Sequence, residues 1–180
     1  MKVILLTGAP GVGKTTIVSR LCANCSAKGM NVHGVTTREI RENGERVGFK
    51  ITDVATGAEG WLARREYSEG PRVGSYRVVT SDLERIGVAA LDRAIKARAR
   101  MVVVDEIGPM EMTSLSFRNA VSRVFDAEQP TVATVKLGSH YPEVEKILGQ
   151  SRQIEIRKDN REDIYRELIE QVDAWTVQSS

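Results

Sequence analysis

The stretch that decides the fold is VILLTGAPGVGKTT, residues 3–16. Its first four residues form a short apolar run that glycine and proline then interrupt, which predicts a buried strand over residues 3–6. A helix is predicted over residues 14–28, because apolar side chains recur there at helical spacing. These side chains are Ile17, Val18, Leu21, Cys22 and Cys25. Gly29 is placed to cap the C-terminus of this helix.

A glycine-rich loop joins the predicted strand to the predicted helix. Residues 8–15 fit the pattern G-x-x-x-x-G-K-[ST], in which backbone amides and a helix N-terminus form a concave site for phosphate. Lys14 is predicted to reach the β- and γ-phosphates of a nucleoside triphosphate, and Thr15 to be a ligand of Mg²⁺. We expect Thr16 to contact the α-phosphate. The predicted nucleotide-binding residues are Gly8, Ala9, Pro10, Gly11, Val12, Gly13, Lys14, Thr15 and Thr16.

A second motif lies in the middle of the chain, where the apolar residues 101–104 are followed by Asp105 and Glu106. In phosphate-loop enzymes an aspartate at such a strand end holds Mg²⁺. We therefore predict Asp105 as a metal-binding residue together with Thr15. Glu106 is predicted to polarise a water molecule for attack on the γ-phosphate. A base beside the metal ligand favours hydrolysis, with Glu106 and Lys14 as the catalytic residues.

Elsewhere, apolar runs alternate with amphipathic stretches. Strands are predicted over residues 32–37, 47–54, 58–63, 76–80, 101–104, 131–135 and 154–156, and helices over residues 81–97, 114–125 and 161–175. Ser81 and Glu84 have the spacing of a helix capping box. Asn43-Gly44 favours a tight hairpin, so the segments after it are expected to form an antiparallel excursion. The alternation predicts an α/β fold with a mostly parallel central sheet flanked by helices.

Length and composition favour one globular domain over residues 1–175, with residues 176–180 as a frayed tail. The net charge is +2, and 26 basic residues are interleaved with 24 acidic ones, which argues against a nucleic-acid partner. The two cysteines imply no disulfide framework. No apolar run approaches the roughly 18 residues of a membrane span. We expect a monomer in the cytoplasm.

Four stretches occur in the order seen in a known protein family: residues 8–16, 37–41 (TREIR), 46–49 (RVGF) and 105–111 (DEIGPME). With Ser116-Phe117 and Asn160-Arg161, they make the chain resemble the small P-loop nucleoside-triphosphatases of archaea and bacteria and the animal cancer-related nucleoside-triphosphatase. The likeness covers nearly the whole chain. Residues 105–111 are its most specific part, because generic P-loop proteins lack them. Pro109 stands where many relatives have lysine.

The resemblance implies a RecA-like P-loop fold and a catalytic activity. A member of this family would hydrolyse ATP, GTP and other nucleoside triphosphates to the diphosphate and phosphate. The reaction would show little base preference, and diphosphates would be poorer substrates. Mg²⁺ is the cofactor that the motif and the resemblance both imply.

Several residues leave alternatives open. Arg38 and Arg41 follow the second predicted strand, where they could face the γ-phosphate or the acceptor of a nucleotide or small-molecule kinase. They could equally form a surface charge cluster. Asn160 and Arg161 could lie beside the nucleotide base, or Asn160 could cap the last helix. A third interpretation is a nucleotide-driven switch or RNA-associated factor.

Two further features have a simpler interpretation beside the functional one. Thr134 could sense the γ-phosphate from the end of its strand. Cys22 and Cys25 have a C-x-x-C spacing but lie on the apolar stripe of the first helix, so we expect them in the core.

Overall fold

The computed structural model describes residues 2–177, with side chains through residue 175. Over these residues the chain forms nine strands: β1 (Val3–Thr7), β2 (Val32–Glu42), β3 (Glu45–Asp53), β4 (Glu59–Arg64), β5 (Arg72–Val73), β6 (Tyr76–Val78), β7 (Met101–Ile107), β8 (Thr131–Val135) and β9 (Arg152–Glu155). They make one sheet in the order β5-β6-β4-β3-β2-β7-β8-β1-β9. The predicted α/β fold with a mostly parallel central sheet is confirmed.

The parallel part of the sheet carries the motifs. β7 pairs with both β2 and β8, β8 pairs with β1, and β1 pairs with β9, all in parallel. The phosphate-binding loop leaves β1, and Asp105 and Glu106 lie at the end of β7. Because parallel strands end at the same edge of a sheet, this register brings the two motifs together.

The antiparallel part confirms the predicted excursion. Asn43 and Gly44 have φ angles of 50° and 81°, which matches a turn that keeps the twist of the flanking strands. This hairpin lengthens β2, so that Val35 faces Asp53 and Glu42 faces Glu45 across the β2–β3 pair. The strand therefore continues five residues beyond the predicted end at residue 37. Strand β5 was not predicted.

The described helices are α1 (Lys14–Ala27), α2 (Thr80–Asp82), α3 (Ala89–Lys96), α4 (Leu115–Asp126), α5 (Pro142–Glu145) and α6 (Arg161–Val177). A π-helical segment, Leu83–Val88, joins α2 to α3. α6 continues to Val177, two residues past its predicted end. Residues 178–180 of the predicted frayed tail lie outside the described residues. No helix in the described range is long and apolar enough to cross a membrane.

The predicted capping box was wrong. The helix begins at Thr80, so Ser81 lies inside it, and no side-chain hydrogen bond caps α2 within the described chain. Glu84 instead accepts a hydrogen bond from the Ser114 hydroxyl at 2.8 Å. That hydroxyl in turn accepts from the amide of Phe117, as the N-cap of α4. A tertiary contact thus replaces the local cap that the sequence suggested.

The sheet separates two apolar layers. Alternation along β1 directs Val3 and Leu5 into one layer, with α3 and α4, and Ile4 and Leu6 into the other, with α1 and α6. The first contains Leu83, Leu91, Phe117 and Phe125, and the second contains Ile17, Leu21, Leu168 and Trp175. Cys22 and Cys25 are buried in the second layer as free thiols, which confirms their predicted place in the core.

Candidate active site

The loop between β1 and α1 has a backbone that glycine permits. Gly8 and Gly13 have φ angles of 145° and 107°, which side-chain-bearing residues rarely adopt. Gly8 is also confined, because a Cβ there would lie 2.5 Å from the carbonyl oxygen of Ile156. No side chain in the described residues caps the N-terminus of α1. The first amides of α1 are therefore available to an anion, as the motif predicted.

Lys14 lies inside this loop and is only 8% exposed. Its Nζ donates hydrogen bonds to the carbonyl oxygens of Gly8, at 3.0 Å, and of Ala9, at 3.5 Å. Both partners are neutral, so no carboxylate within hydrogen-bond distance in the described chain balances the ammonium charge. The charge of Asp105 acts on it only from beyond hydrogen-bond distance. A buried cation without a directly paired anion favours the binding of phosphate at this point.

Asp105 is fully buried at the end of β7. Its Oδ1 accepts hydrogen bonds from Thr134 Oγ1, at 2.6 Å, and from Thr15 Oγ1, at 3.3 Å. Its Oδ2 is buried and has no hydrogen-bond partner among the described residues. Burial raises the pKa of Asp105 to about 6, although the hydrogen bonds from Thr134 and Thr15 lower it.

This donor set fits a magnesium ion. The unpaired Oδ2 of Asp105 and the Thr15 hydroxyl are hard oxygen ligands. Both belong to the residues that the two motifs predicted as metal ligands. Mg²⁺ normally takes few protein oxygens and completes its shell with water and substrate phosphates. The structure brings Thr15 and Asp105 together across 90 residues of sequence, as that role requires.

Glu106 follows Asp105 on β7 but is only half-buried. The residue is therefore partly accessible to solvent, unlike Asp105. Its Oε1 lies beside Gly108, 2.7 Å from where a Cβ on that glycine would be. A partly exposed carboxylate one residue from the candidate metal ligand is suited to orient a water molecule.

Thr134, considered above as a phosphate sensor, makes its hydrogen bond to Asp105 in this structure. It is fully buried in β8, and its hydroxyl donates to Asp105 Oδ1. The hydroxyl proton is therefore engaged with the carboxylate. Thr134 and Thr15 together fix one oxygen of Asp105 and leave the other free.

Sequence reasoning missed Glu111 as a site residue. It is 4% exposed, and its Oε2 and the Oε1 of Glu106 both lie within 3.0 Å of where a Cβ on Gly108 would be. Burial raises the pKa of Glu111 to about 8, hydrogen bonds from the amides of Glu111 and Gly108 lower it, and the nearby charges of Glu106 and Asp105 raise it. Its signal in the sequence was its place at the end of the stretch 105–111.

Arg38 and Arg41 do not lie in a loop after the second strand. Both belong to β2, because the hairpin at residues 43–44 prolongs that strand. Arg38 donates to both oxygens of Glu59, at 3.1 Å each, and Arg41 pairs with Glu39 and donates to the Gly44 carbonyl at 2.9 Å. The described arrangement is thus a set of exposed ion pairs on the antiparallel part of the sheet.

Asn160 and Arg161 lie beside the phosphate-binding loop in different ways. Asn160 accepts from the amide of Arg157, at 2.8 Å, and donates to the carbonyl of Glu155, at 3.0 Å. Its side chain therefore ties the loop after β9. The Arg161 side chain crosses Gly13, where a Cβ would lie 3.2 Å from Arg161 Cδ. Only Arg161 directs a long cationic side chain across the described loop at this point.

Comparison with known proteins decides the family. A family model described as NTPase matches residues 3–169. The chain belongs to this nucleoside-triphosphatase family. The match includes the phosphate-binding loop, Asp105 and Glu106, and the resemblance read from the sequence is confirmed.

Relatives within the family match between 74% and 96% of the chain. A nucleoside-triphosphatase THEP1 of Thermofilum pendens is 48% identical over 134 residues, which is 74% of this chain and 73% of that protein. The protein of the same name from Thermotoga sp. (strain RQ2) is 43% identical over 168 residues, 92% of each chain. One from Methanopyrus kandleri is 37% identical and covers 96% of both chains.

Solved structures of the family have the same fold. The crystal structure of THEP1 from Aquifex aeolicus superposes with a TM-score of 0.81 at 30% identity, over 94% of this chain and 98% of that one. The solution structure of a human cancer-related nucleoside triphosphatase gives a TM-score of 0.80 at 28% identity, over 100% and 99% of the two chains.

Proposed function

We propose that this protein hydrolyses nucleoside triphosphates to the diphosphate and inorganic phosphate, with Mg²⁺ as cofactor. The observation that carries the proposal is the pairing of a complete phosphate-binding loop with the free Oδ2 of Asp105 and the half-buried Glu106 beside it. The curated relatives are named nucleoside-triphosphatases, which supports the same reaction.

The chain's own residues have distinct tasks in this reaction. The amides of the loop and Lys14 bind the β- and γ-phosphates and stabilise the charge that develops there. Thr15 and Asp105 would hold Mg²⁺, which supplies positive charge between the phosphate oxygens when bound. Glu106 orients a water molecule and takes its proton as the oxygen attacks the γ-phosphorus. The bond from the γ-phosphorus to the bridging oxygen breaks, and the diphosphate leaves.

The base is expected to contribute little to selection. Arg161 crosses the loop at Gly13, and a guanidinium in that place can stack on the face of a base. Every base has such a face, so stacking tolerates all of them. This supports a broad base preference, with weaker action on diphosphates because these lack the γ-phosphate. Asn160 would act by holding the loop that carries Arg161.

The Arg161→Ala variant tests this assignment. We expect its affinity for ATP and for GTP to fall by a similar factor, about 3- to 10-fold, because the lost contact is worth roughly 1 kcal/mol at an exposed site. Isothermal titration with non-hydrolysable analogues measures it, with Arg98→Ala as a matched control far from the loop. A loss confined to one base would contradict stacking and indicate edge recognition.

Kinase activity finds no comparable support. Arg38 is engaged with Glu59 and Arg41 with Glu39, so neither is presented to an acceptor in the described structure. The protein would act as a single domain over residues 1–175, a cytoplasmic monomer without a nucleic-acid partner. The interleaved charge of the sequence supports the last point.

Phosphate release tests the proposed function. We expect release from ATP, GTP, CTP and UTP at similar rates, without any acceptor, and loss of release when EDTA removes the metal. Each assay is repeated with AMP and with GMP added. Diphosphate formation that requires a monophosphate would indicate a kinase and overturn the proposal.

A further inference from the structure

The turn after β7 is a rigid structure that ends in Glu111. The amide of Met112 donates to the Gly108 carbonyl at 3.0 Å, and the amide of Ser114 donates to the Glu111 carbonyl at 3.3 Å. Thr113 adds a hydrogen bond from its hydroxyl to the Met110 carbonyl at 2.7 Å. The chain therefore turns back on itself over residues 108–114, and the side chain of Glu111 is buried within this segment.

The Glu111 carboxyl is held by backbone rather than by another side chain. It is 4% exposed, and the amides of Gly108 and of Glu111 itself lie close enough to the carboxyl to lower its pKa. No basic side chain of the described residues forms an ion pair with it. A buried carboxyl costs free energy, and here the compensating contacts all lie in the turn. Glu111 thus fixes where the backbone of Gly108 lies.

The side chain of Glu106 packs against the backbone of Gly108. A Cβ added to Gly108 would lie 2.7 Å from Glu106 Oε1 and 3.0 Å from Glu111 Oε2. The backbone of Gly108 does not have the left-handed conformation that favours glycine, so its missing side chain matters for space alone. The two carboxyl groups therefore converge on the one position that a side chain at residue 108 would occupy.

We propose that Glu111 is a positioning residue for Glu106, acting through the backbone of Gly108. This inference depends on the proposed function, in which Glu106 orients the attacking water. Glu111 stabilises the turn by accepting hydrogen bonds from its amides. The backbone of the turn at Gly108 then limits the rotamers that the Glu106 side chain can adopt. Misplacing a catalytic group by about 1 Å can cost about 100-fold in rate, so the positioning of Glu106 should have a measurable effect on kcat.

Two variants perturb the arrangement in different ways. Gly108→Ala places a methyl group against Glu106, and Glu111→Met removes the acceptor while keeping the side-chain length. We expect each to lower kcat by about 10- to 100-fold with little change in KM or in the affinity for a non-hydrolysable analogue. Glu111→Gln retains an acceptor oxygen and should recover most of the kcat lost in Glu111→Met.

Matched controls separate positioning from folding. Gly149→Ala also adds a Cβ at a glycine without left-handed backbone, where nothing lies within 4 Å, and should leave kcat unchanged. In a Glu106→Gln background, Glu111→Met should cause no further loss of kcat, because there is no carboxylate left to place. An equal loss in both backgrounds would indicate a merely structural role and overturn the inference.

The possible failures are distinguishable. If Glu106→Gln is inactive while Gly108→Ala and Glu111→Met keep the wild-type kcat, the positioning role is wrong and the proposed function stands. If Glu106→Gln keeps the wild-type kcat, the assignment of Glu106 in the proposed function fails. If Glu111→Gln and Glu111→Met lose activity equally, the acceptor oxygen is not what matters, and the inference is overturned.

Discussion

Replacing Glu106 by glutamine is expected to lower kcat for phosphate release by about 100- to 10,000-fold, the usual contribution of a positioned general base. Glutamine has nearly the same shape but cannot take a proton from water. The affinity for nucleoside triphosphate should stay within about twofold, because Glu106 is not among the phosphate-binding residues. Steady-state phosphate release and equilibrium titration with a non-hydrolysable analogue measure the two quantities.

A matched control is available in the same chain. Glu170 is an exposed glutamate on α6, on an element that carries none of the site's acidic residues. Glu170→Gln should release phosphate at the wild-type rate. If Glu106→Gln and Glu170→Gln behave alike, Glu106 does not orient the water, and another group must.

Replacing Lys14 by methionine should have the largest effect on binding. The ammonium is predicted to form charge-assisted hydrogen bonds with phosphate, each worth about 1.5–3 kcal/mol, so affinity should fall about 10- to 100-fold or more. Phosphate release should become undetectable at ordinary substrate concentrations. Titration with a non-hydrolysable triphosphate measures the loss.

The stability of the same variant gives a second, opposite signal. Lys14 is 8% exposed and hydrogen-bonded to carbonyl oxygens, with the charge of Asp105 acting on it only from a longer distance, so its charge is incompletely compensated without phosphate. Methionine fills similar space without a buried charge, and the unliganded variant should melt at the same temperature or a few degrees higher. Lys96→Ala, at an exposed position of α3, is the control. A strong loss of stability in Lys14→Met would show that the lysine holds the loop together and would make the binding result ambiguous for phosphate.

The features that could be predicted from sequence depend on neighbouring residues. Residues 3–16 specify a strand, a glycine turn and a helix through local conformational preference, so β1, the loop and α1 were predicted closely. Asp105 was predicted from the apolar run before it. The Asn43-Gly44 turn likewise indicated the antiparallel hairpin.

The features that were missed depend on contacts between distant residues. Glu84 has the spacing of a capping box, but Ser114, 30 residues away, takes its carboxylate. The length of β2 follows from its pairing with β3, and Arg38 therefore lies within the strand instead of in a loop after it. Glu111 acquires its position only when the turn after β7 is formed. A local sequence pattern does not encode such contacts between residues that are distant along the chain.

The central claim is that water attacks the γ-phosphorus of a nucleoside triphosphate in this site. Hydrolysis of ATP in ¹⁸O-labelled water, followed by mass spectrometry of both products, tests it directly. We predict one labelled oxygen in the released phosphate and none in the ADP. Label in the ADP would mean attack on the β-phosphorus, and either that result or the absence of phosphate release without an acceptor would contradict the account.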